Sequence, residues 1–222
     1  MCGRYTLTTP IEQIIEEFMI DQMVQEWEIR YNIAPSQSIL TMIQNGESRR
    51  AGPTKWGLTP FWVKNKKNFK PLINARSETI GEKASFKHLI NKNRAVIIAD
   101  GFYEWKQESE EKQPIRFILK NGKPFVFAAL WDKQTENGED TITSTILTTE
   151  ANELIQPVHK RMPVILTDKE DIAVWLENDN YSFNDASKVL KPYDHSKMNS
   201  YTVSKAVNSP SNDSITCIQK MS

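Results

Sequence analysis

The chain has 222 residues, 39% of them hydrophobic and 25% charged, with 28 basic and 28 acidic side chains and a formal net charge of zero. That length suits one domain, or at most two small ones, and can bury a core without staples. The composition excludes disorder, collagen-like repeats and coiled coil as whole-chain readings, and zero net charge argues against a nucleic-acid partner unless the charges are segregated.

They are segregated. Between Ser48 and Ser77 there is no acidic residue, but Arg49, Arg50, Lys55, Lys64, Lys66, Lys67, Lys70 and Arg76 are all present. A second acid-free stretch, Lys83 to Ala99, carries Lys83, Lys87, Lys92 and Arg94. Segregation of this kind can build a local positive face for phosphate on a neutral protein. The bland alternative is a solvated loop that keeps the chain soluble. The longest apolar run, Phe125 to Trp131, is far shorter than the ~20 residues a bilayer span needs. Met-Cys-Gly-Arg-Tyr-Thr at the start has no apolar signal core, so a reducing cytosol is expected. Cys2 and Cys217 lie at opposite ends and do not suggest a disulfide framework.

In chain order, Thr9-Pro10-Ile11-Glu12 predicts a helix start, with Thr9 as cap and Glu12 completing a capping box. Ile11, Ile14, Ile15 and Phe18 follow at helical spacing. Ser38 to Gln44 reads as a strand, Asn45-Gly46 as a tight turn, and about Arg49 to Leu58 as the returning strand. Thr59 to Leu72 mixes lysines and aromatics with no period and reads as a long loop, which in a compact domain is usually functional or disordered. Ala84 to Asn91 looks helical, and Ala95 to Ala99 and Phe102 to Lys106 look like strands. Ile115 to Lys120 and Phe125 to Leu130 flank Asn121-Gly122, a second hairpin signal. Thr141 to Leu147 and Pro163 to Leu166 read as strands, Glu150 to Ile155 and Asp185 to Leu190 as short helices. Thr167 to Glu170 forms another capping box. The tail, residues 209–222, is polar and expected to fray. The pattern predicts one α+β domain, residues 1–222, on a mostly antiparallel sheet.

Chemistry concentrates at Cys2. Removal of Met1 would leave an α-amine and a thiol on adjacent carbons. The amine has a pKa near ~7.7–8.0 against ~10.4 for lysine, so far more of it is nucleophilic at neutral pH. It can form an imine with an aldehyde, and the thiol can close on the imine carbon to give a thiazolidine. Cys-Gly at a mature terminus is also compatible with an N-terminal-nucleophile amidohydrolase. A Cys2, His159, Asn74 arrangement can be written for a papain-like site, but it is unspecific. Metal ligation is weakly supported: His88, His159 and His195 have no ligand spacing, and there is no Cys-x-x-Cys. Gly101-Phe102-Tyr103-Glu104-Trp105 places a carboxylate between large aromatics, where burial would raise its pKa toward acid–base use. His159-Lys160-Arg161 pairs a titratable ring with a guanidinium suited to phosphate.

Met-Cys-Gly-Arg-Tyr at 1–5, Tyr-Asn-Ile-Ala-Pro-Ser-Gln at 31–37 and Trp-Gly-Leu-Thr-Pro-Phe-Trp at 56–62 resemble the SRAP (SOS response-associated peptidase) family. So do Ile-Asn-Ala-Arg-Ser-Glu-Thr at 73–79, Arg94 with 101–105, His-Lys-Arg-Met-Pro at 159–163, and Val203-Ser204 with Val207-Asn208. The blocks span nearly the whole chain. The resemblance implies a curved sheet or barrel-like core with short peripheral helices, and capture of abasic sites in single-stranded DNA as a covalent crosslink. It implies Cys2 as nucleophile, with Asn74 bonding and orienting its amine, Glu104 taking the amine proton and His159 assisting sugar ring opening. Arg4, Arg76 and Arg161 would hold phosphates, and Phe61 or Trp62 would stack on a base. No cofactor and no metal are expected. The chain should be a cytoplasmic, nucleoid-associated monomer working beside replication or repair machinery. The peptidase of the family name fits self-removal of Met1 at most, with abasic-site lyase activity alongside. A non-catalytic single-strand binding module is the alternative from another class.

Overall fold

The computed structural model describes residues 2–63, 68–108, 110–136 and 138–221. The first half carries β1 (Tyr5–Leu7), α1 (Ile11–Phe18), β2 (Gln22–Met23), β3 (Arg30–Ile33), β4 (Ser38–Asn45), β5 (Ser48–Trp56), β6 (Asn74–Arg76) and β7 (Arg94–Ala99). The second carries β8 (Gly101–Glu108), β9 (Glu111–Leu119), β10 (Phe125–Glu136), β11 (Glu139–Glu150), β12 (Arg161–Pro163), β13 (Ile165–Leu166), α2 (Lys169–Leu176), α3 (Phe183–Ala186) and β14 (Met198–Thr202).

Two sheets result. In one, β11-β10-β7-β4-β5 run antiparallel, and β5 returns to β11 in parallel at Lys55↔Thr143 and Trp56↔Ser144. The sheet therefore closes into a five-stranded barrel. An odd ring of alternating strands must contain one parallel pair, and this is it. The second sheet, β14-β9-β8-β1-β3, is antiparallel throughout. An aromatic layer joins the two: Tyr5 packs edge-on against Trp56 and Phe127, while Phe102 stacks on Phe117 and meets Phe127. All six residues of β7 are buried, as a central strand covered on both faces requires. The expected α+β class, mostly antiparallel curved sheet and barrel-like core are present, with short helices outside.

Several local expectations need correction. Asn121-Gly122 does turn, with Gly122 at φ 69°, but it does not join a hairpin. β9 pairs with β8 and β14, whereas β10 pairs with β7, β11 and β13. A turn signal encodes a reversal and says nothing about the partner strand. Residues 84–91 form successive turns rather than a helix. Phe86, Leu89 and Ile90 are buried without one, which spares so short a segment the cost of helix nucleation. Glu150 ends β11, and Asn152 Oδ1 takes the Ile155 amide at 3.1 Å, a local side-chain turn that displaces the expected helix. Thr9 does not cap α1. Its amide and hydroxyl both go to Asp100 Oδ2, at 2.7 and 3.0 Å, a charged acceptor stronger than the helix end. Asp168, one residue beyond Thr167, caps α2.

The tail expected to fray is docked instead. Cys217 is fully buried with Tyr103, Val203 and Val207, Lys220 bridges Val203, and the Met221 amide donates to Thr202 O at 3.0 Å. Its polar composition concealed a few apolar and hydrogen-bonding anchors.

Candidate functional site

The two sheets bring the site together. Cys2 leads directly into β1, between β8 and β3. Its side chain is fully buried, with Sγ 3.8 Å from Arg4 O. Burial pushes the thiol pKa well up, and the nearby charge of Glu104 adds to that shift. Asn74 comes from the barrel side, where β6 runs parallel to β11. Its Nδ2 donates to Cys2 O at 2.9 Å. The expected bond was to the amine; the structure places it on the Cys2 carbonyl. Asn74 Oδ1 is buried with no hydrogen-bond partner among the described residues.

Glu104 lies on an interior strand and is 4% exposed. Strand alternation explains why. Glu104 shares the face of Phe102, which packs toward the barrel, whereas Tyr103 and Trp105 face the C-terminal segment. Burial raises the Glu104 carboxyl above its ordinary value, and the charge of His159 opposes that rise. His159 sits just before β12. Its Nδ1 lies within hydrogen-bond distance of both the Arg161 amide nitrogen, at 2.9 Å, and the Arg161 carbonyl oxygen, at 3.0 Å, which fixes the plane of the ring. Cys2, Asn74, Glu104 and His159, separated by up to 157 positions in the chain, thus form one cluster at the seam between sheets.

The arginines divide into two kinds. Arg76 is exposed beside Asn74. Arg161 is not free for a phosphate: Nη1 and Nη2 pair with both oxygens of Glu78 at 2.7 and 2.8 Å, and Nη2 also donates to Thr148 O at 2.6 Å. That pairing holds the Glu78 carboxyl below its ordinary value. Arg4 Nη1 donates to Asn32 Oδ1 at 2.9 Å and Val207 O at 2.5 Å, with the guanidinium 5.7 Å from the Trp105 ring centroid. Asn32, Glu78, Trp105 and Asn208 all fall inside the sequence blocks described above, but nothing local announced their partners. Within the basic stretches, Arg49 is buried on Phe18 O and Arg94 on Asn178 and Tyr181 O, so neither contributes to a positive face. Arg50, Lys55 and Lys70 are exposed; Lys64, Lys66 and Lys67 lie outside the described residues. Phe61 and Trp62 are 64% and 49% exposed, unusual for such large apolar groups. Among the described residues, no group of three or more His, Cys, Asp or Glu is placed to hold a metal ion.

Residues 1–210 match the family described as SOS response associated peptidase (SRAP). The chain belongs to that family. Its SRAP relatives include abasic site processing protein YoqW of Bacillus subtilis (strain 168), 46% identical over 218 residues, with 96% of this chain and 97% of that protein covered. Abasic site processing protein YedK of Escherichia coli (strain K12) is 31% identical over 194 residues, covering 85% of each. An X-ray structure of a protein from Bacteroides thetaiotaomicron shares the fold at TM-score 0.83 and 24% identity, covering 99% of this chain and 100% of that one. A Bordetella bronchiseptica protein does so at TM-score 0.79 and 25% identity, over 91% of this chain and 100% of the other.

Proposed function

We propose that this SRAP-family protein captures abasic sites in single-stranded DNA through Cys2 once Met1 has been removed. The observation that carries the reading is the buried cluster at Cys2, in which Asn74 fixes the backbone, Glu104 lies close enough to raise the thiol, and His159 lies close enough to act on Glu104. The names of the relatives, abasic site processing proteins, supply the substrate.

The free Cys2 amine adds to the open-chain aldehyde carbon and gives a carbinolamine. A proton delivered to its hydroxyl releases water and leaves an iminium. The thiol then adds to the same carbon, giving up its proton, and the thiazolidine closes with a net loss of one water. A Glu104 carboxyl raised above its ordinary value by burial is better suited than an ordinary glutamate to hold and hand over these protons. His159 opens the sugar ring as acid and base, with its Nδ1 side held by the Arg161 backbone. The open iminium also permits β-elimination of the 3′ phosphate, and ring closure removes that lyase branch. Arg4 and Arg76 hold phosphates, and Phe61 or Trp62 stacks on an unpaired base, which favours single strands. Arg161 acts differently from the expectation, by bracing the His159 segment against Glu78. Any peptidase chemistry is confined to Met1.

Intact-mass spectrometry tests the reading. The protein mixed with an abasic single-stranded oligonucleotide should lose Met1 and gain one oligonucleotide less one water. Cys2→Ser should give no heat-stable adduct. A full-rate adduct from protein that keeps a residue before Cys2 would refute it.

A further inference from the structure

The segment from Ser209 onward has no part in this chemistry, and residues 211–221 lie beyond the stretch that matches the family. It is nonetheless tied to the site. Asp213 Oδ1 accepts the Tyr31 and Asn32 amides at 2.6 and 3.0 Å, and its other oxygen pairs with Arg30 Nε. Asn32 is fully buried. Its Nδ2 reaches the carbonyls of Val207, Ser209 and Asn212 at 3.2, 3.0 and 2.6 Å, while its Oδ1 accepts Arg4 Nη1. Trp105, against the Arg4 guanidinium, donates from Nε1 to Asn208 Oδ1 at 2.7 Å. The Tyr103 hydroxyl links Tyr31 O and Cys217 O at 2.8 and 3.2 Å.

We propose that the C-terminal segment is a brace for Arg4, with Asn32 and Asp213 as positioning residues that fix the guanidinium before DNA arrives. Among the described residues, both hydrogen bonds of the Arg4 guanidinium come from Nη1, which leaves Nη2 for a phosphate oxygen. A side chain ordered in advance does not have to be ordered at encounter, so the grip tightens without any new contact. The inference rests on the proposed role of Arg4 at the DNA backbone, and the experiment separates the two.

Binding of an undamaged single-stranded oligonucleotide is measured against salt for full-length wild type, Arg4→Ala, Asp213→Ala, Asp213→Asn and the Arg4→Ala/Asp213→Ala pair, with melting temperatures alongside. Arg4→Ala should lower the slope of log affinity against log salt by about 0.7, the value of one single-strand phosphate contact. Asp213→Ala should weaken binding by about two- to tenfold, the equivalent of ordering one long side chain. In the Arg4→Ala background it should add nothing. Asp213→Asn keeps an acceptor for both amides but loses the Arg30 pairing, and should bind more tightly than Asp213→Ala. An equal Asp213→Ala defect in both backgrounds, or a lower melting temperature with unchanged affinity, overturns the brace alone. An Arg4→Ala protein that binds normally removes the Arg4 reading and the brace with it. If Asp213→Ala does not fold, a chain ended after Pro210 gives the same comparison. Failure of both to fold makes the segment a folding element and overturns the proposal.

Discussion

At the scale of single residues, Glu104 exposes a conflict between stability and chemistry. Its folded pKa lies above the unfolded one because burial disfavours the charge. Below the unfolded value, both states are protonated and nothing is lost. As pH rises, the unfolded chain ionises first, and the folded protein loses stability until both have ionised. Glu104→Gln cannot ionise. It should melt above wild type at pH 7, and the gap should close below about pH 4, near the ordinary glutamate value. It should also crosslink slower by about 10²–10⁴-fold, the worth of one positioned acid–base group. Thermal scans across pH and single-turnover crosslinking check the two halves separately. A second prediction contrasts two arginines. Arg76→Ala should flatten the salt dependence of single-strand binding, because Arg76 is exposed. Arg161→Ala should leave that slope unchanged and slow crosslinking instead, because its guanidinium is held by Glu78 and Thr148 O and so braces the segment whose backbone bonds the His159 ring. Equal slope changes in both would return Arg161 to the phosphate contacts.

At the scale of the element, β8 carries most of the site's demands in five residues. Gly101 opens it where there is no room for a side chain. A Cβ there would lie 2.8 Å from Arg116 Nε and 2.8 Å from Thr6 Oγ1, inside a buried polar cluster. Gly101→Ala should cost about 1–3 kcal/mol, the usual range for overpacking, read as a lower denaturant midpoint. Glu104 then depends on register, since a slip of one residue would turn it toward the C-terminal segment and bring Tyr103 toward the barrel. The strand's alternation was readable in the sequence, and so was the oddity of a carboxylate among aromatics. Which face was covered by what was not. β9 follows β8 as a true hairpin neighbour, but the equally plain Asn121-Gly122 signal leads across to the other sheet. Turn chemistry is local and sheet membership is not.

At the scale of the whole molecule, Asp100 is the junction of the two sheets and the first helix. It stands between β7 of the barrel and β8, and binds Thr6 of β1, Thr8 and Thr9 before α1, and Arg116 of β9. Removing it leaves Arg116, itself 7% exposed, without its buried counter-charge. Asp100→Ala should therefore destabilise by about 3–5 kcal/mol. Equilibrium unfolding followed by two probes measures the loss and shows whether sheet and barrel still melt together. The same long reach limited what the sequence could disclose about charge. Arg161 meets Glu78 across 83 positions and Arg94 meets Asn178 across 84. A run of lysines and arginines therefore looked like one surface, whereas folding buries some members and pairs others. Cys2, Asn74, Glu104 and His159 were named because of unusual chemistry and family resemblance. Their convergence required a topology that pairs β6 with β11 and β1 with β8.

The buried thiol of Cys2 has a further consequence. A thiol held protonated, out of reach of solvent and beside a carboxylate is a poor reductant and a poor nucleophile toward dissolved reagents. Closure onto an imine formed by its own amine demands little, because the two groups share one residue and their effective concentration is very high. The fold thus separates reactivity toward the tethered target from reactivity toward everything else. Peroxide and disulfide exchange act on exposed thiolate, so while Met1 is in place Cys2 should resist oxidative conditions that disable ordinary reactive cysteines, which thiol alkylation with and without peroxide pretreatment would measure.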